Sequence, residues 1–232
     1  MKKLLYDSSM KMSELISAEP GLVLILQRVG LALGFGDKSI GTVCAQHGVD
    51  ADFFLLLCNI YTHEGYVPER ERILSTSMEP LVPYLRQSHD YYVTKRLPHI
   101  ERHLHRIAEH VPERVATVLM RFFKLYMREV VEHFAHEEQM VYPHVEALQR
   151  GEHDSRYTIA NFVEQHGNLE DKLSDLVQII FKYLPEEATT DDAVDVVYDI
   201  LQVSNDLNKH SLIEEKVLVP YVKHLEKEVQ VP

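Results

Sequence analysis

Residues 133–143 read His-Phe-Ala-His-Glu-Glu-Gln-Met-Val-Tyr-Pro, with a glutamate four residues after the first histidine and a proline six residues after that glutamate. The same spacing returns in residues 210–220. Residues four apart lie on the same face of an α-helix, so each His-x-x-x-Glu offers an imidazole and a carboxylate to one point. Two such helices facing each other would bring together four candidate ligands: His133, Glu137, His210 and Glu214.

Each copy of this pattern has a further histidine upstream. His89 precedes His133 by as many residues as His166 precedes His210. The repeat therefore predicts a site with approximate twofold symmetry in the centre of a helical bundle. Burying an ionised glutamate in such a core is costly unless the carboxylate is paired or bound to metal. We therefore predict a bound cation rather than solvated His–Glu pairs on helix surfaces.

The composition excludes several classes of protein. The 232 residues include 24 lysines and arginines against 36 aspartates and glutamates, for a net charge of −12. This balance argues against unassisted binding to nucleic acid or to an anionic membrane. Cys44 and Cys58 are too few for a disulfide framework and are interpreted as small buried residues. With no signal peptide and no run near the roughly 20 apolar residues of a membrane span, we expect a cytoplasmic protein.

Residues 1–79 are predicted to form a small helical N-terminal domain. Its helices fall near 10–18, 20–33, 39–47 and 50–63, and glycine turns separate them. The last two have the order of a helix-turn-helix motif. However, residues 51–58 contain no Arg or Lys to reach a phosphate or a base edge. We therefore expect a packed helical module and no nucleic-acid partner.

Residues 80–232 are predicted to form four long amphipathic helices joined by short loops. The helices fall near 81–109, 112–148, 154–183 and 191–227. This pattern predicts an all-α fold, an antiparallel up-and-down four-helix bundle preceded by the small N-terminal domain. Pro98, Pro143 and Pro220 fall inside helical runs, and each should bend its helix.

A further ligand is expected towards the end of the first bundle helix. His103 and His110 share a face with His89 to within about 40° and 60° respectively, and spacing alone does not choose between them. Imidazoles and carboxylates without a thiolate favour two first-row metal ions bridged by the carboxylates. Iron is the first expectation, with manganese or zinc as alternatives. No separate catalytic residue or organic cofactor site is predicted.

The bundle resembles a hemerythrin-like domain and, more narrowly, the di-iron repair-of-iron-centres family. The most specific match is the segment 133–143, with its Glu-Glu-Gln at 137–139. The resemblance implies two non-haem irons and favours His110 over His103. The ligands that it implies are His89, His110, His133, Glu137, His166, His210 and Glu214.

One departure from that family concerns function. The family has a Cys-Cys-Gly-Gly turn in its short N-terminal domain, where this chain has Gly34-Phe35-Gly36-Asp37. Transfer of iron or sulfur through such a cysteine pair, as part of iron-sulfur centre repair, is therefore in question. We expect a di-iron protein of the oxidative or nitrosative stress response that binds O2, NO or peroxide, and whether it turns over a substrate is open. The alternative is a redox or gas sensor acting through a protein partner, such as an iron-sulfur protein.

Overall fold

The computed structural model describes residues 5–152, 157–165, 170–188 and 191–229. Within these ranges the chain is helical and has no β-strand, so the predicted all-α class is confirmed. One isolated bridge pairs Lys11 with Ser39.

In chain order, the helices before residue 110 are α1 (Met12–Ala18), α2 (Val23–Arg28), α3 (Ile40–His47), α4 (Ala51–Thr62), α5 (Arg70–Ser75), α6 (Leu81–Asp90) and α7 (Leu97–Ala108). Those that follow are α8 (Glu113–His136), α9 (Tyr142–Gln149), α10 (Ile159–Gln165), α11 (Glu170–Tyr183), α12 (Asp191–Ile213) and α13 (Val219–Val229). Short 3₁₀ turns occupy Pro20–Leu22 and Glu186–Ala188.

Three of the helical runs contain a π-helical segment. These segments are Tyr91–Arg96, Glu137–Val141 and Glu214–Leu218, and in each run a proline stands two residues after the segment ends. A proline ring clashes with the carbonyl four residues earlier, and that carbonyl lies within the π segment in all three cases. A π turn is wider than an α turn and relieves this clash. Such segments occur frequently at functional sites.

The described chain divides into two compact units. Unit 1 comprises residues 1–87, 145–154 and 211–232, and unit 2 comprises residues 88–144 and 155–210. The division near residue 80 that the sequence suggests, into 1–79 and 80–232, stays a prediction.

In unit 1 the helix α4 is buried along most of its length. Eight consecutive residues, Phe53 to Ile60, are buried, and Asp50 caps the helix by accepting a hydrogen bond from the Phe53 amide at 2.8 Å. The apolar residues of this helix therefore belong to the core of unit 1. Cys44 and Cys58 are buried as expected, and burial raises the pKa of Cys44 to about 11. Both cysteines are therefore neutral small residues of the core.

In unit 2 four helical runs pack around one apolar core. Large side chains come from α7 (Leu97, Ile100), from α8 (Phe123, Tyr126), and from α11 and α12, which add residues such as Leu176 and Val196. This arrangement is the predicted helical bundle. Across the described ranges, no helix is both long and apolar enough to cross a membrane.

Candidate metal centre

His89, near the end of α6, presents both ring nitrogens to carboxylates. Its Nδ1 lies 3.1 Å from Oε1 of Glu138, and its Nε2 lies 3.1 Å from Oε2 of Glu137. The ring of Phe134 stacks on the imidazole with centroids 3.9 Å apart, which restricts its rotation. His89 is therefore held in one orientation by groups on both edges and on one face.

Two further polar atoms converge on Nε2 of His89. Nε2 of His210, on α12, lies 3.2 Å away, and the hydroxyl of Tyr142 lies 3.1 Å away. Together with Glu137, three polar groups thus surround a nitrogen that carries at most one hydrogen. A single N–H cannot serve all three groups. A metal ion could instead accept the lone pairs of His89, His210 and Glu137 together, while Nδ1 of His89 still donates to Glu138.

Glu137 lies between two imidazoles. Its Oε1 is 2.9 Å from Nε2 of His133, one turn earlier on α8, and its Oε2 faces His89. The residue is 0% exposed. Burial by itself would raise the pKa of Glu137, but hydrogen bonds from His133 and His89 outweigh it and hold the pKa well below its usual range. Glu137 is therefore an ionised carboxylate whose two oxygens face different histidines.

Glu214 occupies the equivalent position in the second copy of the repeat. It follows His210 by one turn of the same helical run, begins a π segment as Glu137 does, and is 0% exposed. Unit 2 alone supplies three buried candidate ligands, His89, Glu137 and His210, and Glu214 belongs to the helical turn that directly follows His210. Two buried carboxylates at matching positions make the demand for a cation stronger, because each would be costly to bury alone.

The donor atoms of this group fit a metal ion. Donors at about 2.1 Å from one ion lie roughly 3.0 Å apart in an octahedron and 3.4 Å apart in a tetrahedron. The 3.2 Å between the Nε2 atoms of His89 and His210 falls between these values. The donor set contains imidazole nitrogens and carboxylate oxygens and no thiolate, which suits iron, manganese or zinc.

The structure does not bring the predicted ligand His110 to this group. His110 is exposed in the turn after α7, where its Nδ1 donates to the Arg106 carbonyl at 2.8 Å. It follows His89 by 21 residues, a rise of about 30 Å along a helix at 1.5 Å per residue. A shared face therefore does not bring it near. The alternative, His103, is held instead by Asp192 at 3.0 Å.

The remaining predicted ligand, His166, lies outside the described residues. Two residues at the centre were not predicted. Glu138 and Tyr142 both contact His89, the first at Nδ1 and the second at Nε2. Glu138 could have been found from its position beside Glu137 in the repeat. Tyr142 gives no signal in the sequence, because a tyrosine on an apolar helix face is ordinarily a core residue.

Comparison with known proteins supports a cation-binding bundle. The family model described as the hemerythrin HHE cation binding domain matches residues 81–222. Searches of curated proteins and of solved structures gave no significant match.

Proposed function

This chain belongs to the hemerythrin HHE cation-binding domain family, and we propose that its buried histidines and glutamates bind two non-haem iron ions. The observation that carries this proposal is the position of Glu137. Each of its two oxygens faces a different histidine, His133 at 2.9 Å and His89 at 3.1 Å. Glu137 would hold one ion through each oxygen, and His133 and His89 would each supply an imidazole beside it.

We further propose that the iron pair binds a small molecule, namely O2, NO or peroxide. Non-haem iron with a position open to solutes supplies the affinity for such molecules and the capacity for electron transfer. Aromatic side chains of this chain would surround the bound molecule. Phe134 and Tyr142 pack against His89, and the Tyr142 hydroxyl is a hydrogen-bond donor within the buried region.

The biological role that we propose is in the oxidative or nitrosative stress response. It rests on the resemblance to the repair-of-iron-centres family. We do not extend it to transfer of iron or sulfur through a cysteine pair. The turn at 34–37 contains no cysteine, and both cysteines of the chain are buried in unit 1.

The proposal is tested by titrating NO into protein loaded with Fe(II) without oxygen, and by titrating azide into the oxidised protein. Optical and electron paramagnetic resonance spectra report binding at iron. We expect a saturable change in the wild type that is lost in His89→Ala and in Glu137→Gln, which keeps the shape of the side chain. His105→Ala, at an exposed position of α7, is the matched control and should behave as the wild type. An iron-loaded wild type that binds neither probe would contradict the proposal, as would unchanged binding by Glu137→Gln.

A further inference from the structure

A second group of candidate ligands lies on the facing sides of α7 and α12, within unit 2. It consists of His99, His103 and Asp199, whose ligand atoms all lie within 4.8 Å of one another. The two histidines are four residues apart and so lie on the same face of α7. Their rings are 4.6 Å apart between centroids. All three side chains are partly exposed, so this group is accessible to ions in solution.

Within this group, Asp199 directs one carboxylate oxygen at His99. Nε2 of His99 lies 2.9 Å from Oδ2 of Asp199. The other oxygen of Asp199, Oδ1, accepts a hydrogen bond from Arg96 at 2.8 Å. Arg96 therefore fixes the carboxylate while leaving Oδ2 directed at His99.

The second histidine is oriented in a similar way. Nδ1 of His103 lies 3.0 Å from Oδ1 of Asp192, and Asp192 also accepts from Arg106 at 3.1 Å. With Nδ1 donating to a carboxylate, Nε2 of His103 is the ring nitrogen that keeps a free lone pair. A carboxylate behind a histidine in this manner is the usual support of a metal-binding imidazole, since it fixes the tautomer and the direction of the ring.

We propose that His99, His103 and Asp199 bind one divalent transition-metal ion of the zinc type, in a site separate from the buried group. Two imidazoles and one carboxylate favour Zn(II), Ni(II) or Cu(II) over Mg(II) and Ca(II), which prefer oxygen ligands. His99 follows His89 by ten residues on the same helical run, about 15 Å along its axis, so one ion cannot serve both groups.

Positively charged neighbours lower the affinity of this site for a cation. Arg102 lies 3.2 Å from Nδ1 of His99, and a metal on Nε2 requires Nδ1 to carry the proton. Arg102 is exposed and can turn away into solvent. Arg96 and Arg106 stay near the site through their contacts with Asp199 and Asp192, and their positive charges oppose a cation. We therefore expect reversible binding that a chelator removes, unlike the binding at a closed structural zinc site.

The test is a calorimetric titration of Zn(II) into protein already loaded with iron. The wild type should bind one Zn(II) per chain while its iron content stays constant. His99→Ala and His103→Ala should each weaken this binding by at least about tenfold. His105→Ala is the matched control, because this histidine lies on the same helix and is exposed, and it should bind as the wild type does. Co(II) added to the wild type should give visible absorption bands of an ion with nitrogen ligands.

Three results would overturn the proposal. The first is an iron-loaded wild type that binds no Zn(II), and the second is Zn(II) uptake matched by loss of iron. The third is an affinity for Zn(II) that is the same in the wild type, in both histidine variants and in Asp199→Asn, which removes the carboxylate charge. Circular dichroism of each variant, compared with the wild type, establishes that a loss of binding reflects the missing ligand rather than unfolding.

Discussion

The Oε1 atom of Glu138 lies 3.1 Å from Nδ1 of His89, at the opposite edge of the imidazole from Glu137. This contact fixes the ring so that Nε2 faces Glu137 and His210. Loss of a carboxylate that orients a metal-binding histidine typically costs 10- to 100-fold in metal affinity. We therefore expect Glu138→Ala to lower the affinity for iron by about tenfold or more, as measured by competition with a chelator.

Glu132→Ala is the control for Glu138→Ala. Glu132 lies on α8 less than two turns before Glu138 and pairs only loosely with Arg128, at 3.8 Å on the surface. This variant should bind iron as the wild type does. If Glu138→Ala also binds iron with unchanged affinity, the orienting role of Glu138 is wrong.

Tyr142 offers a second test, aimed at the small-molecule ligand. Its hydroxyl lies 3.1 Å from Nε2 of His89 and its ring is buried. When a metal ion takes the lone pair of Nε2, the hydroxyl is available to donate to a molecule bound nearby. Tyr142→Phe should therefore keep the iron content and lower the affinity for azide by about fivefold or more, the loss of roughly 1 kcal/mol expected for one hydrogen bond. Tyr198→Phe, at an exposed position of α12, should change neither quantity, and equal azide affinity in both variants would exclude this role for Tyr142.

Most of the fold follows from the sequence. The apolar periodicity and the loops predict the long runs, and the structure has them at 81–108, 113–149 and 191–229, close to the expected bounds. The expected helix near 20–33 ends earlier, at Arg28, because residues 30–36 contain three glycines with positive φ that form a loop. The π segments were not predicted, because each spans only five or six residues, too few for the apolar spacing to distinguish a π turn from an α turn.

The candidate site was predicted in part, and the reason is geometric. Residues four apart, such as His133 and Glu137, are close in rotation and in rise, so their spacing predicts a shared site reliably. His89 and His110 lie on a similar face of the helix, but the rise along the helix axis places them far apart. The contact between His89 and His210 joins helices far apart in sequence, and it was predicted only from the internal repeat and the family resemblance.

His110 provides a direct comparison between the expectation from the sequence and the structure. The resemblance implies that His110 binds iron, whereas the structure has it exposed and hydrogen-bonded to the Arg106 carbonyl. We expect His110→Ala to retain the iron content and azide affinity of the wild type, and His133→Ala to lose iron. Loss of iron from His110→Ala would show that the ligand set implied by the family resemblance is correct.

Removal of the metal should destabilise the protein. A ligand that binds only the folded state stabilises it by about 4 kcal/mol at a free concentration 1,000 times its Kd. For a chain of this size that corresponds to a rise in Tm of roughly 10 °C. Chelation should therefore lower the Tm of the wild type by about this amount, and reloading with metal should restore it. The Tm of Glu137→Ala should depend little on metal. Equal Tm values for the apo and loaded wild type would contradict a metal-stabilised core.

The most direct measurement is the iron content of protein purified and loaded without oxygen. Two iron ions per chain are expected in the wild type. Because Glu137 and Glu214 are the buried carboxylates at matching positions of the repeat, replacing either by Ala should reduce the content to less than one ion per chain. A wild type that holds no iron, or retention of both ions in Glu137→Ala and Glu214→Ala alike, would contradict the account.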